Sequence, residues 1–229
     1  MKDILLQAFI ASIAGGVISL DRSAAFQIMI SRPIVAGPLI GIVCGSLTIG
    51  IVIGAILELL WIGDLPVGGH IPSHETAAVV IAVAIAASMK GVLPEKGLIG
   101  LCILMVIPFA VVCQKADELV RKFNKYYYFK TIESIESGSV SGVWRFNIMA
   151  ILTLLVINIL IFFIFIVSGI FGIIHIHPLI TDRFISALAG ITVILPIIGI
   201  ASALNTTHGI KGGAVIFFMA FIISFYLIT

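Results

Sequence analysis

Long apolar runs fill most of this 229-residue chain. The longest run, Trp144–Ile174, contains one charged residue, Arg145. A spanning α-helix needs roughly 20 mostly apolar residues, and lipid offers no hydrogen bonds to irregular backbone. Only 10% of the residues are charged, whereas about a quarter are charged in soluble domains. The sequence therefore predicts an all-α integral membrane protein.

Seven apolar segments are predicted to be helical. Pro33–Ile62 is long enough to be tilted or broken, and Thr76–Met89 is too short to cross a bilayer alone. We expect six to eight transmembrane or re-entrant helices, some of them broken, in a single polytopic membrane domain over residues 1–229. The segments are Ile4–Leu20, Pro33–Ile62, Thr76–Met89, Leu93–Cys113, Trp144–Ile174, Phe184–Leu204 and Gly212–Ile228.

The one sustained polar stretch covers residues 114–142. Its early part has helical character, and Ser137–Ser141 is typical of a linker. Because segments rich in Lys and Arg tend to stay in the cytoplasm, we predict a polar cytoplasmic loop here. It serves either as a solvated connector or as a docking surface for a partner protein. The net charge of +2 is too small to indicate nucleic-acid binding.

Glycines recur at every fourth position in two sets within Pro33–Ile62. Small residues with this spacing lie on one helix face and let two backbones approach closely in a membrane. The pattern therefore predicts tight helix packing. Proline removes a backbone donor and clashes with the preceding turn, so kinks or breaks are also expected at three prolines. The glycines are Gly37, Gly41, Gly45, Gly50 and Gly54, and the prolines are Pro38, Pro108 and Pro196.

Glu58 follows seven residues without a polar side chain and precedes another apolar stretch. A charge within the hydrocarbon layer costs a few kcal/mol, so such residues usually face a cavity or a partner. Glu58 is therefore either a residue of a polar cavity or an interfacial glutamate at a helix end.

The segment after this helix, Asp64–Glu75, combines Gly and Pro with many donors and acceptors. Broken backbone between apolar flanks is typical of a transporter binding site, although an ordinary turn has a similar composition. Asp64, His70, His74 and Glu75 are the candidate ligands, and Ser73 is expected to cap the following helix. The spacing of His70 and His74 is not the helical H-E-x-x-H pattern, so no metal is expected.

Two further polar islands interrupt apolar sequence. One holds Asp21, Gln27 and Arg32, and the other begins at Asn205. Amide groups both donate and accept hydrogen bonds, which suits the hydroxyls of a sugar. An ordinary loop after the penultimate helix would explain Asn205 equally well.

The first 80 residues carry a pattern that resembles a known family. It includes Arg32–Pro33, the glycine-rich run from Gly41 to Gly63 that contains Leu57–Glu58, and the following VGGHIPSHETAA. The chain resembles the membrane subunit IIC of the mannose/fructose/sorbose family of bacterial sugar phosphotransferase systems. The sequence GIASALN, which ends at Asn205, resembles the family more weakly.

This resemblance implies a multi-pass protein of the bacterial inner membrane that translocates a hexose. It also implies pairing with a membrane subunit IID, a trimer of IIC–IID pairs, and cytoplasmic IIA and IIB proteins that phosphorylate the sugar. The subunit itself would then carry no catalytic residue and no cofactor. Glu58, Gln27, Asp21 and Asn205 match polar positions of the family. Pro72–Ser73–His74–Glu75 departs from it, because the family commonly has a proline followed by aspartate there.

An alternative is a degenerate IIC-like scaffold, receptor or regulatory subunit that is not coupled to phosphorylation. In that case residues 114–142 would provide the contact surface. An intramembrane enzyme is the weakest hypothesis, because the apolar helices contain no HExxH or GxSxG motif and no glycine-rich phosphate loop is present.

Overall fold

The computed structural model describes residues 2–63 and 72–206, together with Val215 and Met219. Seven α-helices and one short 3₁₀ helix make up the regular structure of residues 2–63 and 72–206. In chain order they are α1 (Lys2–Ser23), α2 (Pro33–Val43), α3 (Leu47–Trp61), α4 (Glu75–Ser88), α5 (Glu95–Glu136), α6 (Val140–Ile176), the 3₁₀ helix His177–Leu179 and α7 (Asp182–Thr206).

Among the seven α-helices of the described residues, four are long and apolar enough to cross a membrane: α1, α5, α6 and α7. The other three, α2, α3 and α4, are shorter apolar helices. The predicted all-α fold class with broken helices is therefore confirmed. The predicted last segment, Gly212–Ile228, lies outside the described residues except for Val215 and Met219.

The predicted long segment Pro33–Ile62 is broken into α2 and α3. Gly45 adopts a positive φ of 68°, a conformation that costs glycine little. The Ser46 amide donates to the Gly41 carbonyl at 2.7 Å, and the Gly45 amide donates to Ile42 at 3.0 Å. These two bonds form the Schellman motif that ends many helices, so the chain reverses here into a hairpin.

The two arms of this hairpin touch through backbone. A Cβ built on Gly37 would lie 2.5 Å from the Gly50 carbonyl oxygen, and one on Gly54 would lie 2.5 Å from the Pro33 carbonyl oxygen. No side chain larger than hydrogen fits these positions without a shift of the helices. The tight packing predicted from the glycine spacing is therefore present.

Cys44 at the hairpin turn is buried, with 8% exposure, so its backbone carbonyl group needs a partner. Gln7 of α1 donates from Nε2 to the Cys44 carbonyl at 3.0 Å, and Ser88 at the end of α4 donates to Gln7 Oε1 at 3.4 Å. These bonds hold the hairpin turn near the first turns of α1. The hairpin thus enters the bundle from the end where α1 finishes and turns back near the end where α1 begins.

Helix α4 is the centre of the bundle. It contacts α1, α2, α3, α5 and α6, and every residue from Thr76 to Ala87 is buried. Small alanines and β-branched residues allow this close approach from all sides. Its 14 residues span only ~21 Å, less than the ~30 Å hydrocarbon core, so α4 begins or ends within the depth of the bundle.

The polar segment 114–142 has the helical character expected of its early part, and the helix continues as far as Glu136, so most of the predicted loop is regular helix. Its Lys, Glu, Arg and Gln residues favour helix, and the first glycine comes at Gly138, which has a φ of 73°. The Ser139 amide donates to the Ser134 carbonyl at 2.9 Å there, so a second Schellman motif ends α5. The helices also continue through Pro38, Pro108 and Pro196, so the prolines break none of them.

The glycine contact predicts a position-specific loss of stability. In Gly50→Ala the new methyl group meets the Gly37 carbonyl oxygen and lies 2.9 Å from Gly41 Cα, so we expect a loss of about 1–3 kcal/mol. Gly190→Ala in α7 is the matched control, because nothing lies within 4 Å of its Cβ position. Thermal unfolding in detergent should show a lower Tm for Gly50→Ala and an unchanged or higher Tm for Gly190→Ala. Equal Tm values for the two variants would contradict the contact.

Candidate functional site

A polar cavity of about 370 Å³ lies beside the start of α4. Its volume is in the range of small-molecule sites, roughly 300–1,000 Å³. The walls come from the end of α1, the loop that follows it, the residues around the start of α4, and α5. The lining residues are Asp21, Arg22, Gln27, Met29, Ser31, Arg32, Pro72, Glu75 and Arg121.

A buried ion pair forms the floor of this region. Arg22 Nη1 lies 2.8 Å from Asp117 Oδ2, and the two side chains are 9% and 4% exposed. Arg22 Nη2 also donates to the carbonyl oxygens of Pro72 at 2.8 Å and Ser73 at 3.1 Å. One guanidinium thus joins α1, α5 and the chain that leads into α4. Buried charges of this kind are tolerated only when paired and hydrogen-bonded.

His74 lies beneath the cavity and does not line it. Its side chain is 1% exposed, and its Nδ1 accepts the Ala77 amide proton at 3.1 Å. In the neutral ring the proton is then on Nε2, which lies 3.5 Å from Ser19 Oγ and 3.7 Å from Asp117 Oδ2. His74 is therefore the residue that caps α4, and the expectation that Ser73 caps it is wrong. The helix begins one residue later than that expectation requires.

Arg32 lies between two of the predicted sugar ligands. Its Nη1 is 3.3 Å from Glu75 Oε2 and 3.8 Å from Glu58 Oε1. Glu75 is in the first turn of α4 and Glu58 is near the end of α3. The three side chains are 14–28% exposed, so solvent reaches this cluster.

Glu58 lies beside the cavity rather than on its wall. Its Oε2 accepts the Ile34 amide proton at 3.3 Å, and Ile34 is in the first turn of α2. The first amides of a helix lack intrahelical partners and carry partial positive charge. The carboxylate of Glu58 thus caps α2 and pairs with Arg32 at the same time.

Asp21 and Gln27 differ in the number of hydrogen bonds that their side chains make within the protein. Asp21 is 5% exposed and accepts from the Ile28 amide at 2.6 Å and from the amide and hydroxyl of Ser31 at 3.0 Å each. The side chain of Gln27 lines the cavity and makes no hydrogen bond within residues 2–63 and 72–206. Gln27 is therefore more available to a ligand than Asp21.

The remaining predicted ligands stay predictions. Asp64 and His70 lie outside the described residues. Asn205 is in the last turn of α7, and its side chain also lies outside them. The structure thus brings Asp21, Gln27, Glu58 and Glu75 to one region, with His74 beneath it.

Sequence reasoning missed the roles of Arg22, Arg121 and Asp117 in organising the site. Arg22 and Asp117 are 95 positions apart, and Asp117 belongs to the polar stretch for which a solvated connector and a docking surface are both expected. Arg121 lies on the same helix and lines the cavity. The available signal is the spacing of Asp117 and Arg121, because residues four apart on a helix share a face.

A larger cavity of about 650 Å³ lies elsewhere, between the second half of α5 and the first turns of α6. Aromatic and aliphatic side chains supply much of its wall, including Tyr127, Tyr128, Trp144 and Phe146. It contains no carboxylate and no cation among its lining residues. The smaller cavity, with its five charged residues, is therefore the better candidate for a site that binds a polar solute.

The buried ion pair predicts a non-additive pattern of stability. Arg22→Met and Asp117→Leu each leave one buried charge unpaired, which we expect to cost about 3–5 kcal/mol. The double variant should recover part of this loss, because no unpaired charge remains. Glu133→Ala breaks the exposed pair with Lys130 and is the control, with a change within about 0.5 kcal/mol. The Tm and the yield of folded protein measure these changes, and a double variant worse than the sum of the singles would refute the explanation.

Comparisons with known proteins agree with this architecture. The model of the family described as "PTS system sorbose-specific iic component" matches residues 4–229. The chain is 36% identical to the putative N-acetylgalactosamine permease IIC component 2 of Escherichia coli (strain K12) over 114 residues, which are 50% of this chain and 80% of that relative. It is 28% identical to the fructose permease IIC component of Bacillus subtilis (strain 168) over 148 residues, which are 64% of this chain but 51% of that relative.

A solved structure shares the fold. The cryo-EM structure of the mannose transporter ManYZ in complex with microcin E492 superposes with a TM-score of 0.61 at 19% identity, over 98% of this chain and 86% of that one. At this identity the likeness establishes the fold alone. Since the family model extends over nearly the whole sequence, this multi-pass protein of the bacterial inner membrane belongs to the mannose/sorbose family of IIC membrane components of the phosphotransferase system.

Proposed function

We propose that the chain is the sugar-translocating membrane component of a mannose-family phosphotransferase system and carries a hexose or an amino sugar. The observation that carries this proposal is the polar cavity beside the start of α4, with its arginines, carboxylates and Gln27. Membership of the IIC family supports it independently. The relatives are named for N-acetylgalactosamine and fructose, and the structural neighbour for mannose.

The cavity has the chemistry to bind a neutral sugar. Carboxylates accept hydrogen bonds from vicinal hydroxyls, and such charge-assisted bonds are stronger than neutral ones. In this proposal Glu75, Glu58 and Gln27 accept from the sugar, while Arg32 donates to it. Arg32 already bridges Glu75 and Glu58, so sugar hydroxyls would exchange with existing ion-pair contacts. Asp64, His70 and Asn205 remain candidate ligands from the sequence alone.

We propose that the polar half of α5 lies on the cytoplasmic side. The basic residues from Lys115 to Lys130 support this orientation through the positive-inside tendency. Arg121 both belongs to this half and lines the cavity. The cavity would then open toward the compartment that holds the cytoplasmic IIA and IIB phosphocarriers, which phosphorylate the sugar. The chain itself supplies no catalytic residue in this scheme.

We further propose that the chain pairs with a membrane subunit IID and that three such pairs assemble. Many large apolar side chains on the outer faces of α1, α5 and α6 are exposed in the isolated chain, among them Phe9, Leu119 and Leu160. Lipid or a second apolar subunit must cover them.

Uptake measurements test the site. In cells that express the chain with its IID, IIA and IIB partners, Glu75→Gln and Glu58→Gln should each weaken uptake about 10–100-fold, because each removes a charge-assisted hydrogen bond of ~1.5–3 kcal/mol. Radiolabelled mannose, fructose, sorbose and N-acetylgalactosamine form the substrate panel. Membrane insertion is checked by immunoblot.

Glu133→Gln is the matched control, because Glu133 is 70% exposed in the polar half of α5 and does not line the cavity. It should leave uptake unchanged. Normal uptake by both cavity variants would rule out this site. Failure of the wild type to take up any sugar of the panel would favour the alternative of an uncoupled scaffold or receptor.

Co-purification tests the assembly. Affinity-tagged chain should retain the IID subunit through size exclusion in mild detergent, with a mass that fits three copies of each subunit. A tagged chain that elutes alone at all detergent concentrations would contradict the proposed pairing.

A further inference from the structure

Asp21 occupies an unfavourable place for a carboxylate. It is two residues from the end of α1 at Ser23, where the helix dipole is negative and favours cations. An acid at this position needs another reason to be there. Its 5% exposure also means that it gains little from water.

The carboxylate of Asp21 is engaged by the loop that follows it. Oδ1 accepts the Ile28 amide proton at 2.6 Å, and Oδ2 accepts from the amide and the hydroxyl of Ser31, both at 3.0 Å. Three donors from residues seven and ten positions later thus converge on one side chain. From the other end, the Thr76 hydroxyl donates to the Ser31 carbonyl at 2.9 Å, which ties the same loop to α4.

The backbone of this loop is strained. Phe26, Gln27 and Met29 have positive φ values of 66°, 53° and 67°, a region that residues other than glycine rarely adopt. Such conformations persist only when surrounding contacts hold them. Ile28 lies between two of the strained residues and Ser31 follows them, and both donate to Asp21. These hydrogen bonds are therefore placed to hold the strained conformation.

The strained conformation places the loop against the cavity. Gln27, Met29, Ser31 and Arg32 all line it. We propose that Asp21 is a positioning residue for sugar binding: through Ile28 and Ser31 it holds residues 24–32 so that Gln27 and Arg32 face the sugar. This inference rests on the proposed function. It differs from the expectation that Asp21 itself binds the substrate, because both of its oxygens are already engaged.

A second-site rescue separates positioning from direct binding. Asp21→Asn keeps one acceptor oxygen but replaces the other with a donor, so the KM for sugar uptake should rise about tenfold or more while the maximal rate changes less than about twofold. Phe26→Gly should then lower the KM of Asp21→Asn severalfold, since glycine adopts positive φ without steric cost. Phe26 is 84% exposed, so Phe26→Gly alone should behave like the wild type.

A direct sugar ligand at Asp21 would not be rescued by glycine at Phe26. The proposal would therefore be overturned if the double variant had the same KM as Asp21→Asn. It would also be overturned if Asp21→Asn had the KM of the wild type. If the wild-type complex took up no sugar, the proposed function would be contradicted together with this inference.

Hydrogen exchange gives a readout that is independent of transport. In the full complex in lipid nanodiscs, the peptide that contains the Ile28 and Ser31 amides should exchange at least about tenfold faster in Asp21→Asn. Peptides from the buried α4 should exchange as in the wild type. Unchanged exchange at Ile28 and Ser31 would refute the role of Asp21, whatever the uptake assay shows for the wild type.

Discussion

The architecture depends on the hydrogen bonds that let the buried helix α4 begin inside the bundle. Helix α4 is buried from Thr76 to Ala87, so the amides of its first turn and the carbonyls that precede it have few solvent partners. The His74 ring accepts the Ala77 amide proton, and Arg22 satisfies the Pro72 and Ser73 carbonyls. Arg22 in turn requires Asp117, because an unpaired guanidinium at 9% exposure would be costly. The end of α1, the start of α4 and the middle of α5 are thereby fixed together, and the polar cavity is the space beside this junction.

Polar residues near the cavity therefore have two kinds of role. Arg22, Asp117 and His74 are buried and hydrogen-bonded to protein, so they support the backbone that forms the wall. Gln27, Glu75 and Arg32 are more accessible, and the ion pair between Arg32 and Glu75 is 3.3 Å long. Asp21 is one of the buried residues that support the backbone, although the sequence predicts it to be a ligand. A polar residue in an apolar sequence thus indicates a polar cavity nearby, but its type alone does not tell a ligand from a support.

Local features were predictable from the sequence because their causes are local. The glycine repeat predicts tight helix packing, which is present between α2 and α3, and the length of Pro33–Ile62 indicates a tilted or broken helix, of which the break occurs at Gly45. Contacts between distant residues had no such signal. Nothing near Asp117 in the sequence indicates Arg22, and nothing near Asp21 shows that Ser31 will turn back to it. The polar segment 114–142 is expected to be a loop with helical character in its early part, and because its residues are good helix formers, α5 continues to Glu136.

The length of α5 sets the depth of the cavity. Its apolar part, from Glu95 to Cys113, rises ~28 Å, close to the ~30 Å thickness of the hydrocarbon core. Asp117 and Arg121 follow by about one and two turns, so the ion pair and the cavity lie where α5 leaves the hydrocarbon. Three arginines are tolerated here because charges cost less near the interface than at the bilayer centre.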